Sequence, residues 1–360
     1  LKKIMFVAGA RPNFMKVAPI VSALDGKVDG QILLTGQHHA FEMADAFVMD
    51  LKIDCKRLHR LAPPARVLSS NALMSEIMRG VEPMVDGFDP DVVVVVGDVN
   101  STLAATVVAK HKQKTVAHVE AGLRSWDRTM PEEINRVAVD HMCDWWFCSE
   151  ASGVHNLQQE GISNDRVRLV GNVMIDSMLR QLEVLQVSKG IRELSVDPPF
   201  VYLTLHRPSN VDDAATLSGL LSTIGDVAKN WPVVFPIHPR TKASIERHGL
   251  SLPHNVFDFP PLRYDDALYL MKHACLIMTD SGGVQEEAVV LGVPCVTLRE
   301  NTERPATVHC GGNIVAGTER ESVLDAVRDA LTCDRESALV PELWDGKAAE
   351  RIAKILEEEV

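Results

Sequence analysis

Short apolar runs alternate with amphipathic stretches along this chain, and that alternation limits the possible folds more than any other feature. Residues 3–8, 31–35, 91–97, 115–119, 145–149 and 167–170 read as buried strands. Five consecutive valines at 92–96 leave no polar face, so both faces of that strand must be covered. Between these runs the periodicity predicts helices near 14–24, 69–86, 101–111, 131–142, 151–160 and 173–185. Strand and helix in strict repetition build a parallel sheet with helices on both faces. The polar stretch 186–198 interrupts the pattern and reads as a linker region. Alternation resumes with strands at 200–205, 233–237, 274–279, 294–298 and 313–316, and with helices at 212–229, 264–272, 283–291, 319–332 and 346–358. We therefore expect an α/β chain of two doubly wound domains, residues 1–185 and 186–345, flanking a cleft. A C-terminal helix within 346–360 is placed to pack back on the first domain.

Composition narrows the function. The 360 residues suit two domains at about 150 residues each. Acidic residues outnumber basic ones, 49 to 37, so the global basic footprint of a nucleic-acid binder is absent. No apolar run reaches the ~18 residues of a membrane span. The seven cysteines are odd in number and irregularly spaced, with no Cys-x-x-Cys and no Cys/His ligand set. They read as reduced thiols of a cytoplasmic protein, and no metal is expected. The chain runs straight from Leu-Lys-Lys into a strand pattern, so no signal peptide is expected.

The polar motifs fall at the carboxyl ends of the expected strands, where ligands bind in such sheets. The first strand ends in GARPNFMK. Gly9 allows a tight turn, and Arg11 and Lys16 set two cations around a helix start, which reads equally as a phosphate site or as solvated charge. The turn is neither G-x-G-x-x-G nor a Walker loop, so a tightly held NAD is not supported. The valine strand ends in GDVNSTLAA, placing Asp98 at its tip. The next ends in HVEAGLRSWDRTMPEEINR, with Glu120 closing the strand and Pro131, Glu132 and Glu133 opening a helix. Glu132 and Arg136 are four apart and suited to an intrahelical pair. Glu132 and Glu133 diverge by ~100° around the helix and cannot share one role. Several carboxylates at neighbouring strand ends suit acid–base work.

In the second half, VYLTL runs into HRPSN and PIHPR closes another strand, which sets His206, Arg207, His238 and Arg240 at strand ends. The sharpest local signal is DSGGVQEE. There Asp280 ends a strand and Ser281, Gly282 and Gly283 start a helix, a seat for a diphosphate. Glu287, a turn further on, suits the two hydroxyls of a ribose. Arg304 follows in TERP as a cationic partner for a phosphate or carboxylate.

GARPNFMK, TGQH, GDVNSTLAA, HVEAGLRS, MPEEINR, HRPSN, DSGGVQEE and TERP occur in the order found in UDP-N-acetylglucosamine 2-epimerases, and the chain resembles that family over about residues 2–318. The resemblance implies a glycosyltransferase B-type fold of two Rossmann-like domains, usually a homodimer, acting on a UDP-sugar without a cofactor. It implies that UDP is held mainly by the second domain. Ser281, Gly282 and Gly283 would meet the diphosphate, Glu287 the ribose, Arg11 and Arg304 the phosphates or their surroundings, and His238 the nucleotide pocket. It assigns catalysis to Asp98, Glu120, Glu132, Arg136 and His206, with Lys16 nearby. GDVNST and HVEAGLR favour the non-hydrolysing branch, which interconverts UDP-GlcNAc and UDP-ManNAc for surface polysaccharide synthesis. The alternatives are the same chemistry on a 2,3-diacetamido uronic acid sugar, or a hydrolysing enzyme that releases ManNAc. A retaining glycosyltransferase and a silent nucleotide-sugar sensor rank below these, since three candidate acid–base carboxylates are all present.

Overall fold

The computed structural model describes all residues except 10, 37–56, 63–67, 163–164, 193–195, 197 and 333–338, and the side chains of residues 11 and 12. Part of the TGQH motif, Cys55 and Cys333 therefore lie outside the described residues. The chain divides into two compact units, Leu1–Ser177 with Glu342–Val360, and Met178–Pro341.

The first unit contains strands β1 (Lys3–Ala8), β2 (Asp29–Leu34), β3 (Leu58–Arg60), β4 (Val92–Val96), β5 (Thr115–Val119), β6 (Trp145–Cys148) and β7 (Val167–Leu169). They form one parallel sheet in the order β3-β2-β1-β4-β5-β6-β7. β4 is buried along its whole length. Val92, Val94 and Val96 enter one core cluster and Val93 and Val95 the other, as the two-residue period of a strand requires. Covering both faces contributes about 1.5 kcal/mol or more per fully buried valine.

The second unit contains β8 (Val201–Thr204), β9 (Val233–Pro236), β10 (Val256–Phe259), β11 (Leu276–Thr279), β12 (Cys295–Thr297) and β13 (Asn313–Val315). They pair in parallel in the order β10-β9-β8-β11-β12-β13. In each sheet the strand order reverses once, between β1 and β4 and between β8 and β11. At such a point the crossovers leave in opposite directions and open a crevice beyond the strand ends.

The C-terminal helix Ala348–Glu358 buries Ala348, Ala349, Ile352, Ala353 and Leu356 in the first unit's core. The Asp176 carboxylate accepts from the N–H groups of Ala348 and Ala349 (3.2 and 2.7 Å). Lys2 Nζ donates to the Leu356 and Glu357 carbonyls at the other end (2.8 and 3.1 Å). Both contacts place charge where a helix's free end groups favour it.

Strands β3 and β10 and the helix Pro239–Arg247 are absent from the sequence reading. β3 and β10 are partly exposed edge strands and carry no apolar run. The helix buries only Thr241, Ser244 and Ile245. The stretch 186–198 is not wholly irregular. It includes the one-turn helix Lys189–Arg192, whose Ile191 joins Val196 in the second unit's core.

Candidate active site

In the first unit the candidate acids gather around the ends of β4 and β5. Glu120 follows β5 with φ of 72°, a left-handed backbone that costs a non-glycine residue about 1–2 kcal/mol. Its N–H and that of Ala121 both donate to the Phe147 carbonyl (2.9 and 3.1 Å), which holds the turn. Its carboxylate pairs with Lys16 Nζ from the helix Arg11–Ala23, and both side chains are about nine-tenths buried (12% and 9% exposed). Asp98 follows β4 and Gly97, and its carboxylate pairs with Arg136. The Asn135 side-chain amide donates to the Asp98 carbonyl at 2.9 Å, so the helix Pro131–Met142 fixes Asp98 by both backbone and side chain.

Arg136 reaches partners other than the Glu132 that the four-residue spacing suggested. It bonds to Glu133 at 3.0 Å as well as to Asp98. Glu133 is buried and also accepts from the N–H groups of Ser125 and Trp126 (both 2.9 Å) and from the Ser125 hydroxyl (3.0 Å). The two adjacent glutamates thus separate as helix geometry demands: Glu133 braces the preceding loop, and Glu132 remains half-buried in the first helical turn. The side chain of Arg11 lies outside the described residues.

In the second unit His206 and Asp280 meet at the reversal between β8 and β11. His206 Nδ1 lies 2.8 Å from Asp280 Oδ1. The backbone N–H groups of His206 and Arg207 also donate to this carboxylate (2.9 and 2.8 Å). Burial alone would raise the Asp280 carboxyl. The His206 ring and the two N–H groups outweigh it and hold Asp280 below the usual carboxylate range. Nδ1 of His206 therefore donates, which leaves Nε2 to meet a ligand. The His238 ring stands 5.6 Å from that of His206. Its Nδ1 accepts from the N–H of Arg240 at 3.2 Å. Partial burial and the neighbouring His206 hold His238 below the usual histidine value, so its neutral ring offers Nε2–H as a donor.

Ser281 stands at the N-cap of the helix Gly282–Leu291 and makes no side-chain cap bond. Around this start Glu303 is buried, pairing with Arg299 at 2.8 Å and Arg207 at 3.4 Å. Arg304 pairs with Glu286 at 2.6 Å. Burial by itself would raise Glu303, but Arg304, Arg299 and Arg207 drive it far below the carboxylate range. A Cβ on Gly282 would sit 2.7 Å from Glu303 Oε1, so only glycine lets the cluster approach the helix start this closely. Glu287 is buried on the same helix and accepts from the Tyr264 hydroxyl at 2.6 Å.

Sequence reading named neither Glu303 and Arg299 nor Tyr264. Glu303 lies within TERP, and Arg299 precedes that motif with no signal of its own. His118 sits inside an apolar strand run and Asp140 inside an amphipathic helix, so neither stands out in the sequence. The described residues contain no cluster of three or more His, Cys, Asp or Glu side chains able to hold a metal ion, and no helix long and apolar enough to cross a membrane.

Two doubly wound parallel sheets, each with one reversal of strand order, are the architecture of the glycosyltransferase B-type α/β fold. The profile of the UDP-N-acetylglucosamine 2-epimerase family matches residues 22–357. The UDP-N-acetylglucosamine 2-epimerase of Methanocaldococcus jannaschii is 37% identical over 371 residues, covering 98% of each chain. Its crystal structure with UDP-GlcNAc and UDP matches 98% of this chain and 99% of that one, with a TM-score of 0.90. The UDP-2,3-diacetamido-2,3-dideoxy-D-glucuronate 2-epimerase of Pseudomonas aeruginosa is 35% identical over 98% of this chain and 99% of its own. The glycosyltransferase of kitacinnamycin, 14% identical with a TM-score of 0.62 over 100% and 99%, shares the fold alone. The chain belongs to the UDP-N-acetylglucosamine 2-epimerase family and is an enzyme of the isomerase class.

Proposed function

We propose that this enzyme interconverts UDP-GlcNAc and UDP-ManNAc by eliminating and re-adding UDP, as a non-hydrolysing epimerase. The observation that carries the reading is the pairing of two strand-end carboxylates with cations, Glu120 with Lys16 and Asp98 with Arg136. A sugar C2–H has no adjacent carbonyl, so direct deprotonation is slow. Breaking the C1–O bond first sends its electron pair to UDP and leaves an oxocarbenium-like sugar whose C2–H is acidic. One of Asp98, Glu120 and Glu132 takes that proton, the C2–H pair becomes the C1–C2 double bond, and 2-acetamidoglucal results. UDP then returns to C1 while a proton is delivered to the opposite face of C2. Two faces need two acid–base groups, and a well-placed one contributes about 100- to 10,000-fold.

The second unit supplies the leaving-group side of this scheme. The N–H groups at the start of Gly282–Leu291, with Arg304, stabilise charge on the departing diphosphate. Glu287, already an acceptor from Tyr264, takes the ribose hydroxyls rather than the phosphates it would repel. His238 contributes its Nε2–H, and His206 meets the substrate through Nε2.

The test is to incubate the purified chain with UDP-GlcNAc and follow the anomeric proton signals. Appearance of UDP-ManNAc supports the reading, and release of free ManNAc with UDP moves the chain to the hydrolysing branch. A second reading, the same reaction on a 2,3-diacetamido uronic acid sugar, is favoured by the Pseudomonas aeruginosa relative. Turnover of that sugar in preference to UDP-GlcNAc decides for it.

A further inference from the structure

Behind the candidate acids of the first unit lies a second polar chain, whose histidine, aspartate and arginine side chains are fully buried. The His118 and Asp140 side chains are 0% exposed. His118 Nδ1 lies 2.7 Å from Asp140 Oδ1, and Nε2 lies 2.9 Å from the Gly97 carbonyl. Asp140 Oδ2 accepts from the Gly122 N–H at 3.1 Å and from Arg124 at 2.7 Å. Arg124 continues to Glu160 through two bonds of 2.7 and 2.6 Å. Burial alone would raise the Asp140 carboxyl. His118 and Arg124 outweigh it and keep the group ionised. An ionised carboxylate and a carbonyl can only accept, and the two ring nitrogens of His118 are what face them.

Each anchor point of this chain adjoins a residue proposed for the reaction. Gly97 precedes Asp98. Gly122 ends the turn that holds Glu120 in its left-handed conformation. Asp140 lies four residues beyond Arg136 on the helix that also carries Glu132. Stability does not call for this arrangement. The strand neighbours Val116, Ala117 and Val119 are apolar and buried, and an all-apolar filling of these positions would avoid the desolvation that the buried Asp140–Arg124 ion pair carries. A fully bonded polar network instead fixes one geometry.

We infer that His118 and Asp140 are positioning residues for the epimerase reaction: together they clamp the Asp98 strand end and the Glu120 turn to the single helix Pro131–Met142. This rests on the proposed function. His118 joins β4 to the helix through Gly97, and Asp140 joins the β5 turn to the same helix through Gly122. The acids at both strand ends thereby share one frame, and misplacement by about 1 Å is enough to lose about 100-fold in rate.

The test compares His118→Asn, which keeps a donor near Nδ1 and loses the Gly97 bond, with His118→Gln, which keeps a donor near Nε2 and loses the Asp140 bond. Both are assayed with UDP-GlcNAc beside wild type, with thermal midpoints recorded. We expect kcat per folded molecule to fall about 10- to 100-fold in each, with KM within threefold. Glu160→Gln, at the partly exposed end of the chain, loosens Arg124 and gives a smaller kcat loss with an unchanged midpoint. It serves as the deciding variant should the histidine variants not fold. Wild-type-like kcat in the folded variants, or a change in KM alone, overturns the positioning role while the functional reading stands. No turnover of UDP-GlcNAc by wild type overturns the functional reading and this inference with it.

Discussion

Nδ1 of His206 donates across 2.8 Å to Asp280, a carboxylate with no solvent exposure that also gathers the backbone N–H groups of residues 206 and 207. The arrangement fixes the imidazole tautomer and aims Nε2 outward, as a buried aspartate does for a catalytic histidine elsewhere. Asp280→Asn removes the negative charge and allows the ring to reverse its tautomer. We expect kcat to fall about 100-fold or more while the thermal midpoint drops only a few degrees. Steady-state kinetics with a parallel melt checks this, and near-normal kcat contradicts it.

Lys16 pairs with Glu120, and both side chains are largely buried. Lys16→Met removes the Lys16 charge from beside that carboxylate, which favours its protonated form and weakens it as a base. Turnover is expected to fall about 100-fold. UDP affinity, carried in this account by the other unit, stays within threefold. Calorimetric titration of UDP separates the two, and a parallel loss of both contradicts the division of roles.

Gly282→Ala tests the helix start directly. The added methyl meets the Glu303 carboxylate, which is held in place by arginines and has little freedom to move. The variant is expected to fold and to bind UDP at least tenfold more weakly. Unaltered UDP affinity in calorimetry removes the helix start from the diphosphate site.

Asp176 links stability to pH. Burial lifts its carboxyl to about 6 from an ordinary 3.8, against the opposing pull of the Ala349 and Ala348 N–H groups. Between those values the folded chain holds a proton that the unfolded chain has released. Its contribution is full below pH 4 and is lost as pH rises through 6, by on the order of 2–3 kcal/mol. Wild type should therefore lose stability relative to Asp176→Asn between pH 4.5 and 7. Urea denaturation of both proteins across that range measures the difference, and a constant gap contradicts it.

Much of this architecture was legible because parallel strands buried on both faces write themselves as apolar runs. β4 and the DSGG helix start lie where the sequence put them, with boundaries within one residue. The edge strand Val256–Phe259 was not legible, because edge positions do not need an apolar face. The pairing of Arg136 with Asp98 was not legible, because spacing along one helix cannot show a carboxylate arriving from a strand end. His118 escaped for a related reason. A histidine inside an apolar strand reads as core until its partner, 22 positions away in Asp140, is brought beside it.

The central claim, that UDP leaves and returns while C2 exchanges its proton, is tested most directly in deuterated water. Purified protein is incubated with UDP-GlcNAc and the C2 position is read by proton NMR. The account predicts UDP-ManNAc fully deuterated at C2, with deuterium also entering the recovered UDP-GlcNAc. UDP-ManNAc that keeps its original C2 proton would contradict it.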